Sequence, residues 1–251
     1  MSFPRSRSTS RLRQSRGQLE DLKPSRSRNH DATRNRKQVM LLSMFMAALS
    51  LEFLFVGGLL FSIRQGKRRA EILLKTGASL VFLVFGISLL PGNPSSSDLF
   101  ITAGLFAAFA GDLILLRKSG FLAGLGAFLG CHLSYILAFN RLKPLPEPSI
   151  ALFVFAGAIT IGLWLRPYCR HLLIPVSLYV GTIALMLTWA VSAADAGAIP
   201  LRGALGAVLF FLSDILVARQ RFVQPQFLNR AMGLPLYYAA QLLLASLISR
   251  I

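Results

Sequence analysis

The chain has 251 residues, of which 54% are hydrophobic and only 15% are charged, and its mean hydropathy is +0.59. Because charged residues make up about a quarter of a typical soluble domain, this composition argues against a soluble protein. The formal net charge of +17 would suggest a nucleic-acid partner if it covered a folded surface, but +8 of it lies in the first 38 residues. We therefore expect no nucleic-acid partner.

The first 38 residues form a basic arm that is rich in Ser, Arg and Asn and has few apolar residues. It cannot bury a core, so we predict that residues 1–38 are disordered. The arm is expected to contact anionic lipid headgroups at a membrane surface. A transit peptide is the alternative, although the acidic residues Glu20, Asp21 and Asp31 and a poor apolar face weaken it.

From residue 39 onward the sequence consists of apolar runs of about 17 to 25 residues, the length a helix needs to cross ~30 Å of hydrocarbon. Such long unbroken runs exclude the alternating strands of a membrane barrel. We predict an all-α fold, a polytopic membrane helix bundle of about eight transmembrane helices within residues 39–251. The predicted spans are residues 39–63, 72–90, 98–116, 121–140, 149–165, 172–192, 201–218 and 232–249.

The loops on the two sides of the membrane differ in charge. Four basic residues lie in the even-numbered loops and at the C-terminus, namely Arg141, Lys143, Arg202 and Arg250. Eleven lie after the odd-numbered spans, namely Arg64, Lys67, Arg68, Arg69, Arg117, Lys118, Arg166, Arg170, Arg219, Arg221 and Arg230. The positive-inside rule places this second set in the cytosol, although eight spans would then leave the basic arm outside. We give the short loops more weight.

A charge inside a membrane span costs roughly 2.5 to 3.5 kcal/mol at mid-helix, and four of the ionisable residues in the predicted spans stand out as functional candidates. They are Glu52, Lys75, Asp112 and Asp214. Each aspartate precedes the end of an odd-numbered span by about four residues, which places both roughly 6 Å inside the same membrane face. Lys75, early in the second span, approaches that face. We predict that the two carboxylates share a functional site.

Further polar residues lie within the spans and could complete this site. They are His132, Tyr135, Tyr179, Ser213, Tyr237, Tyr238 and Gln241. A single intramembrane Tyr or Gln is more often an interhelical hydrogen-bonding group than a functional one, whereas two aspartates at matched depth favour a function. Two carboxylates in a poorly hydrated pocket can differ in protonation state, so that one donates a proton while the other stays ionised.

The sequence contains no phosphate-binding loop, Gly-x-Ser-x-Gly elbow or His-Glu-x-x-His motif. We expect no metal and no other cofactor. Cys131 and Cys169 fall within predicted helices or at their ends, and free thiols are expected there.

The segments around these residues resemble the lysoplasmalogenase (YhhN-like) family of multi-pass membrane proteins, over residues 75–245. The resemblance rests on residues 110–116, on Phe121, Gly124, Phe128, His132, Tyr135 and Phe139, on residues 179–186 with Trp189 and Ala190, on Gly203, Ala204, Phe210, Ser213, Asp214, Ala218 and Phe222, and on residues 237–242. The family often has Lys-Pro early in its second span, whereas Thr76 follows Lys75 here. Glu52 has no counterpart, and its role is open.

The resemblance implies hydrolysis of the vinyl ether bond of a lysophospholipid substrate, a lysoplasmalogen, to a fatty aldehyde and glycerophosphoethanolamine or glycerophosphocholine. Asp112 and Asp214 would then be the catalytic pair, without a decision on which is the acid. The other polar residues would shape the pocket or orient water. Lys75 would attract the phosphate headgroup or extend to the membrane interface.

Two other functions compete with this hydrolase. A proton-coupled transporter also uses intramembrane Asp, Glu, His and Lys, but the spans lack a matched pair of broken helices around a midplane site. A receptor or assembly factor would tolerate loss of both aspartates. The expected membrane is the endoplasmic reticulum in a eukaryote and the plasma or inner membrane in a bacterium, and the oligomeric state is open.

Overall fold

The structure is a computed structural model that describes residues 8–117 and 119–248, with side chains for 35, 36, 38–117 and 119–248. These residues contain eight α-helices. They are α1 (Ser8–Arg64), α2 (Arg68–Ser88), α3 (Ser96–Leu115), α4 (Phe121–Leu142), α5 (Pro148–Cys169), α6 (Leu173–Asp195), α7 (Leu201–Ala218) and α8 (Phe227–Ala245). A 3-10 turn, Arg170–Leu172, joins α5 to α6, and a π-helical segment, Arg219–Val223, follows α7.

Six helical segments of the described chain are long and apolar enough to cross a membrane. They are Gln38–Arg64, Arg68–Ser88, Ser96–Leu115, Phe121–Leu142, Pro148–Asp195 and Leu201–Val223. The fifth contains both α5 and α6, because the turn between them is itself helical, and α8 is not among the six. The predicted membrane helix bundle is thus confirmed, and the chain is an integral, multi-pass membrane protein. The number of eight spans stays a prediction.

The chain divides into two compact units, Met1–Met44 and Phe45–Arg250. Helix α1 begins at Ser8, earlier than the first predicted span. Residues 1–7 of the predicted arm lie outside the described residues, as do Lys118 and Arg250 of the predicted loops. The disorder of residues 1–38 and their contact with lipid stay predictions.

Helix α8 also differs from its predicted bounds, since it begins at Phe227 rather than at residue 232. The added turn contains Asn229, a polar residue that is 2% exposed. Its amide donates to Gln220 Oε1 at 3.1 Å and to the Gln224 carbonyl at 2.8 Å, and its Oδ1 accepts from Arg219 at 2.8 Å. These tertiary hydrogen bonds satisfy the amide inside the fold, which a local polarity pattern does not reveal.

The bounds of α3 and α7 set the positions of the two aspartates along their helices. A capping box starts α3: the Ser95 side chain accepts from the Asp98 backbone N–H, and the Asp98 carboxylate accepts from the Ser95 backbone N–H at 2.9 Å. Because α3 ends at Leu115 and α7 at Ala218, Asp112 and Asp214 both lie in the last turn of their helices. The predicted match in helical position is confirmed.

Close packing of α3 against α4 depends on glycines that leave room for aromatic rings. A Cβ atom added at Gly104 would lie 2.5 Å from the Tyr135 ring, and one at Gly111 would lie 2.7 Å from the Phe128 ring. The Phe128 ring in turn packs edge-on against Tyr237, with 5.7 Å between the ring centroids. Small residues thus let the two helices approach closely enough to place these rings.

Gly104→Ala is expected to lower the thermal stability of the purified protein in detergent, because an overpacked core costs about 1–3 kcal/mol. Gly126→Ala on α4 is the matched control, since its Cβ would meet nothing within 4 Å. Both changes bring the same gain in helix propensity, so the difference between the two melting temperatures isolates the clash. Equal melting temperatures would contradict the packing described here.

Candidate active site

The Asp112 carboxylate is buried, being 3% exposed, and three donors surround it. Ser79 Oγ on α2 donates to Oδ2 at 2.8 Å, and Tyr237 Oη on α8 donates to the same oxygen at 2.7 Å. Lys75 Nζ lies 3.1 Å from Oδ1. A cation and two hydroxyl donors stabilise a negative charge in a low-dielectric interior. The Asp112 carboxylate is therefore held between two hydroxyl groups and a cation.

The Asp214 carboxylate has a different set of partners, which come from α4 and α6. Tyr179 Oη donates to Asp214 Oδ2 at 2.9 Å, and His132 Nε2 lies 3.2 Å from the same oxygen and 3.0 Å from Tyr179 Oη. His132 is fully buried, whereas the Asp214 side chain is 14% exposed. This arrangement supplies exchangeable protons beside a carboxyl group that reaches the cavity.

One aromatic ring, Phe210 on α7, lies between the two networks. Its centroid is 4.6 Å from that of His132, beside Asp214, and 5.6 Å from that of Tyr237, which contacts Asp112. No hydrogen bond joins Asp112 directly to Asp214 among the described residues. The two carboxylates are thus held separately, each by its own partners.

Both aspartates nevertheless line the same cavity, which has a volume of about 590 Å³. Lys75, Tyr179, Ser213 and Tyr237 line it as well. Its other walls are mainly apolar, with Leu59, Leu115, Phe128, Leu165, Ile183 and Leu216 among the lining side chains. An apolar cavity with a few convergent polar groups is the usual form of a small-molecule site.

Four of the sequence-predicted pocket residues lie outside the lining of this cavity. His132 lies behind Asp214 and Tyr179. Tyr135 donates to Gln241 Oε1 at 2.7 Å, away from both aspartates, and Gln241 Nε2 has no partner in the described structure. Tyr238 lies 3.4 Å from Ser79 Oγ and packs on Tyr237. These side chains support the wall and do not face the cavity, because helix rotation directs them into the bundle.

Ser79 was not among the sequence-predicted residues, although it donates directly to Asp112. A serine in an apolar helix commonly bonds to its own backbone, and Ser79 Oγ also lies 3.0 Å from the Lys75 carbonyl. The signal that could have found it is its position four residues after Lys75, on the same face of α2. Phe128 was not predicted as a site residue either, although it lines the cavity together with Asp112. It lies there because α4 packs against α3.

Glu52 and the cysteines take no part in these networks. Glu52 is 3% exposed, and neither of its carboxyl oxygens has a hydrogen-bond partner in the described part of the chain. Cys131 and Cys169 are buried and free. Among the described residues no group of three or more His, Cys, Asp or Glu side chains is arranged to hold a metal ion.

Comparison with known proteins gives relatives along most of the chain. It is 31% identical over 144 residues to lysoplasmalogenase TMEM86B of Homo sapiens, which covers 57% of this chain and 61% of the relative. It is 31% identical over 204 residues to lysoplasmalogenase TMEM86B of Mus musculus, covering 81% of this chain and 84% of the relative. A lysoplasmalogenase of Mycobacterium bovis is 31% identical over 137 residues, half of each chain.

The chain thus spans about three fifths of the length of the human relative. No solved structure matches it. A sequence profile described as the YhhN family matches residues 70–248, a region that begins in α2 and contains Lys75, both aspartates and every residue that contacts them. With that match and the relatives that cover four fifths of the sequence, the chain belongs to the YhhN family.

Proposed function

We propose that this protein is a membrane-embedded hydrolase that cleaves the vinyl ether bond of a lysoplasmalogen. One observation carries the proposal: Asp112 and Asp214, each in the last turn of its helix, line a single, mainly apolar cavity. The names of the relatives supply the substrate class. An amphiphile with one alkenyl chain suits a cavity that is lined by charged and polar side chains as well as by a larger number of apolar ones.

Asp214 is the proton donor in this proposal. Tyr179 and His132 surround it with exchangeable protons, and it is the more exposed of the two carboxyl groups. The neutral acid protonates the β-carbon of the vinyl ether, and an oxocarbenium ion forms at the carbon bonded to oxygen. General acid catalysis of this kind contributes typically about 10²–10⁴-fold in rate.

Asp112 is the anionic partner. Lys75, Ser79 and Tyr237 hold its charge in place, so that no large reorganisation is needed when the cation forms. Its carboxylate stabilises the oxocarbenium ion and takes a proton from the attacking water, which gives a hemiacetal. The hydroxyl proton of the hemiacetal then returns to Asp214, and the proton on Asp112 passes to the leaving glycerol oxygen. The products are a fatty aldehyde and a glycerophospho headgroup, and both side chains regain their initial protonation.

The test is an aldehyde-release assay with the purified protein in a nonionic detergent. A lysoplasmalogen is the substrate, and a lysophospholipid with a saturated ether chain of equal length is the control, because it has no double bond to protonate. We expect aldehyde from the first lipid alone. An absence of aldehyde in conditions where a family relative is active would refute the proposal.

The relatives offer no support for a proton-coupled transporter. The choline or ethanolamine identity of the headgroup, the contact of the basic arm with anionic lipids and the compartment, endoplasmic reticulum or bacterial inner membrane, remain parts of this proposal.

Ser79→Ala is expected to lower the rate of aldehyde release about tenfold, since a hydrogen bond to a charged group contributes about 1.5–3 kcal/mol. Ser79 positions and stabilises the Asp112 carboxylate without touching substrate. Ser88→Ala, in the same helix, is the matched control, because its hydroxyl bonds only to the Phe85 carbonyl. Initial rates at saturating lipid measure the effect, and equal rates in the two variants would remove Ser79 from the site.

A further inference from the structure

One end of the cavity carries charged side chains that the proposed reaction does not use. Glu71, Arg221 and Arg230 line this end together with Gln220. A second cavity of about 570 Å³ shares Gln220 and Arg230 with the first and adds Arg64. Arg230 therefore lies where the reaction cavity meets a second, more open space.

The Arg221 guanidinium is held in place by aromatic contact. It lies 4.4 Å from the centroid of the Phe121 ring at the start of α4, and Phe121 packs edge-on against Phe222 at 5.7 Å. The backbone here is the π-helical segment Arg219–Val223, a rare geometry that is often found at functional sites. Stacking leaves the N–H groups of a guanidinium free to donate.

Arg221 lies in this π-helical segment and Arg230 in the first turns of α8, and Asn229 hydrogen-bonds across the connection between them. This buried amide contacts Gln220, Gln224 and Arg219, so residues on both sides of the connection to α8 are tied together. Gln220 Oε1 also accepts from the Gln226 backbone N–H at 2.9 Å. These hydrogen bonds hold the connection between α7 and α8 in a defined conformation. A binding site that is already ordered loses less conformational entropy when a ligand binds.

Glu71 is the only acidic side chain in the lining of these two cavities outside the aspartate pair, and its charge is already matched. Its Oε2 lies 2.9 Å from Arg68 Nη1, and its Oε1 lies 3.9 Å from Arg230 Nη1. Arg68 also donates to the Leu116 carbonyl. With Glu71 paired by Arg68, the arginines at this end leave an excess of positive charge.

Lys75, for which the family resemblance left open a phosphate contact or a position at the membrane interface, forms an ion pair with Asp112 and lines the same cavity. We propose that Arg221 and Arg230 form the anion site of this protein and bind the phosphate of a lysophospholipid headgroup, with the chain in the apolar part of the cavity. Arginine suits this role because its planar fork donates two parallel hydrogen bonds to phosphate. This inference rests on the proposed function, in that it assumes a single-chain lipid in the cavity.

The test is a binding measurement that needs no turnover, made on the full chain in nonionic detergent. The probes are a saturated 1-O-alkyl lysophosphocholine, the matching 1-O-alkylglycerol without phosphate, and inorganic phosphate. Arg221→Gln and Arg230→Gln should each weaken the binding of the phosphate-bearing lipid by about tenfold or more, since charge-assisted hydrogen bonds are lost. The affinity for the alkylglycerol should stay unchanged. Arg117→Gln, an exposed arginine that lines neither cavity, should change nothing.

Equal losses of affinity for the phosphate-bearing lipid and the alkylglycerol would show a general packing defect and overturn the assignment. Unchanged binding in both arginine variants would also overturn it. Wild-type protein that binds inorganic phosphate as tightly as the phosphate-bearing lipid would assign the site to free phosphate and overturn the headgroup role. If a glutamine variant does not fold, Arg221→Lys and Arg230→Lys keep the charge and should show a smaller loss that is still specific for the phosphate-bearing lipid. Arginine-dependent binding without aldehyde release would refute only the hydrolase, whereas aldehyde release with an unchanged KM in both variants would refute only this site.

Discussion

Asp112→Asn is expected to reduce the rate of aldehyde release by about 100-fold or more, in line with the loss of a general base or charge stabiliser. The amide has nearly the same shape and can still accept from Ser79 and Tyr237, but it carries no charge to stabilise the oxocarbenium ion and cannot take a proton from water. It also leaves the Lys75 ammonium, a largely buried cation, without its partner. The measurement is the initial rate with lysoplasmalogen in detergent.

Asp195→Asn is the control for this variant, because Asp195 is exposed at the end of α6 and lies outside the cavity lining. Its rate should equal that of the wild type. Both variants should insert and purify normally. A rate for Asp112→Asn within a few fold of the wild type, with the protein intact, would remove the carboxylate from the mechanism.

Asp214→Asn is expected to reduce the rate of aldehyde release by a similar factor, about 100-fold or more, for a different reason. The N–H groups of an amide are far too weakly acidic to protonate the vinyl ether carbon. Protonation would then depend on hydronium from the solvent. The residual rate of Asp214→Asn should therefore rise steadily as the pH is lowered, and the loss relative to wild type should shrink at acidic pH. Profiles of rate against pH for the wild type and both variants measure this.

The pH profiles also assign the two roles. If Asp112 were the acid instead, the steady acid-side rise would occur in Asp112→Asn and not in Asp214→Asn.

In the variant that carries both substitutions, the two losses of rate should not multiply, because the effects of residues that act in one step are strongly non-additive. Two fully multiplicative losses would indicate that the aspartates act independently and would contradict a shared reaction.

The helical positions of the aspartates were predictable, and four of their five partners were already among the predicted site residues, but the pairings and Ser79 were not. Asp112 and Asp214 lie in the last turns of α3 and α7 as predicted, because the length of an apolar run and the position of a charge within it are local properties of the chain. Ser79 and Phe128 were missed, since a serine bonded to its own helix and a phenylalanine in an apolar run look the same whether or not they face a cavity. Tyr135 and Gln241 were included because they are polar, but they bond to each other instead.

By itself, the sequence determined that this protein is a helical bundle in a membrane, that its basic residues gather in particular loops, and that two aspartates occupy matching positions near the ends of their helices. Hydropathy and helix rise act residue by residue along one chain, so these features need no knowledge of neighbours. Only the tertiary structure decided that Lys75 pairs with Asp112, that Tyr179 and His132 pair with Asp214, and that Arg221 stacks on Phe121. The physical reason is that such pairings depend on how each helix is rotated and packed against helices far away in sequence, and the free energy of a buried polar group depends on the partner it finds there.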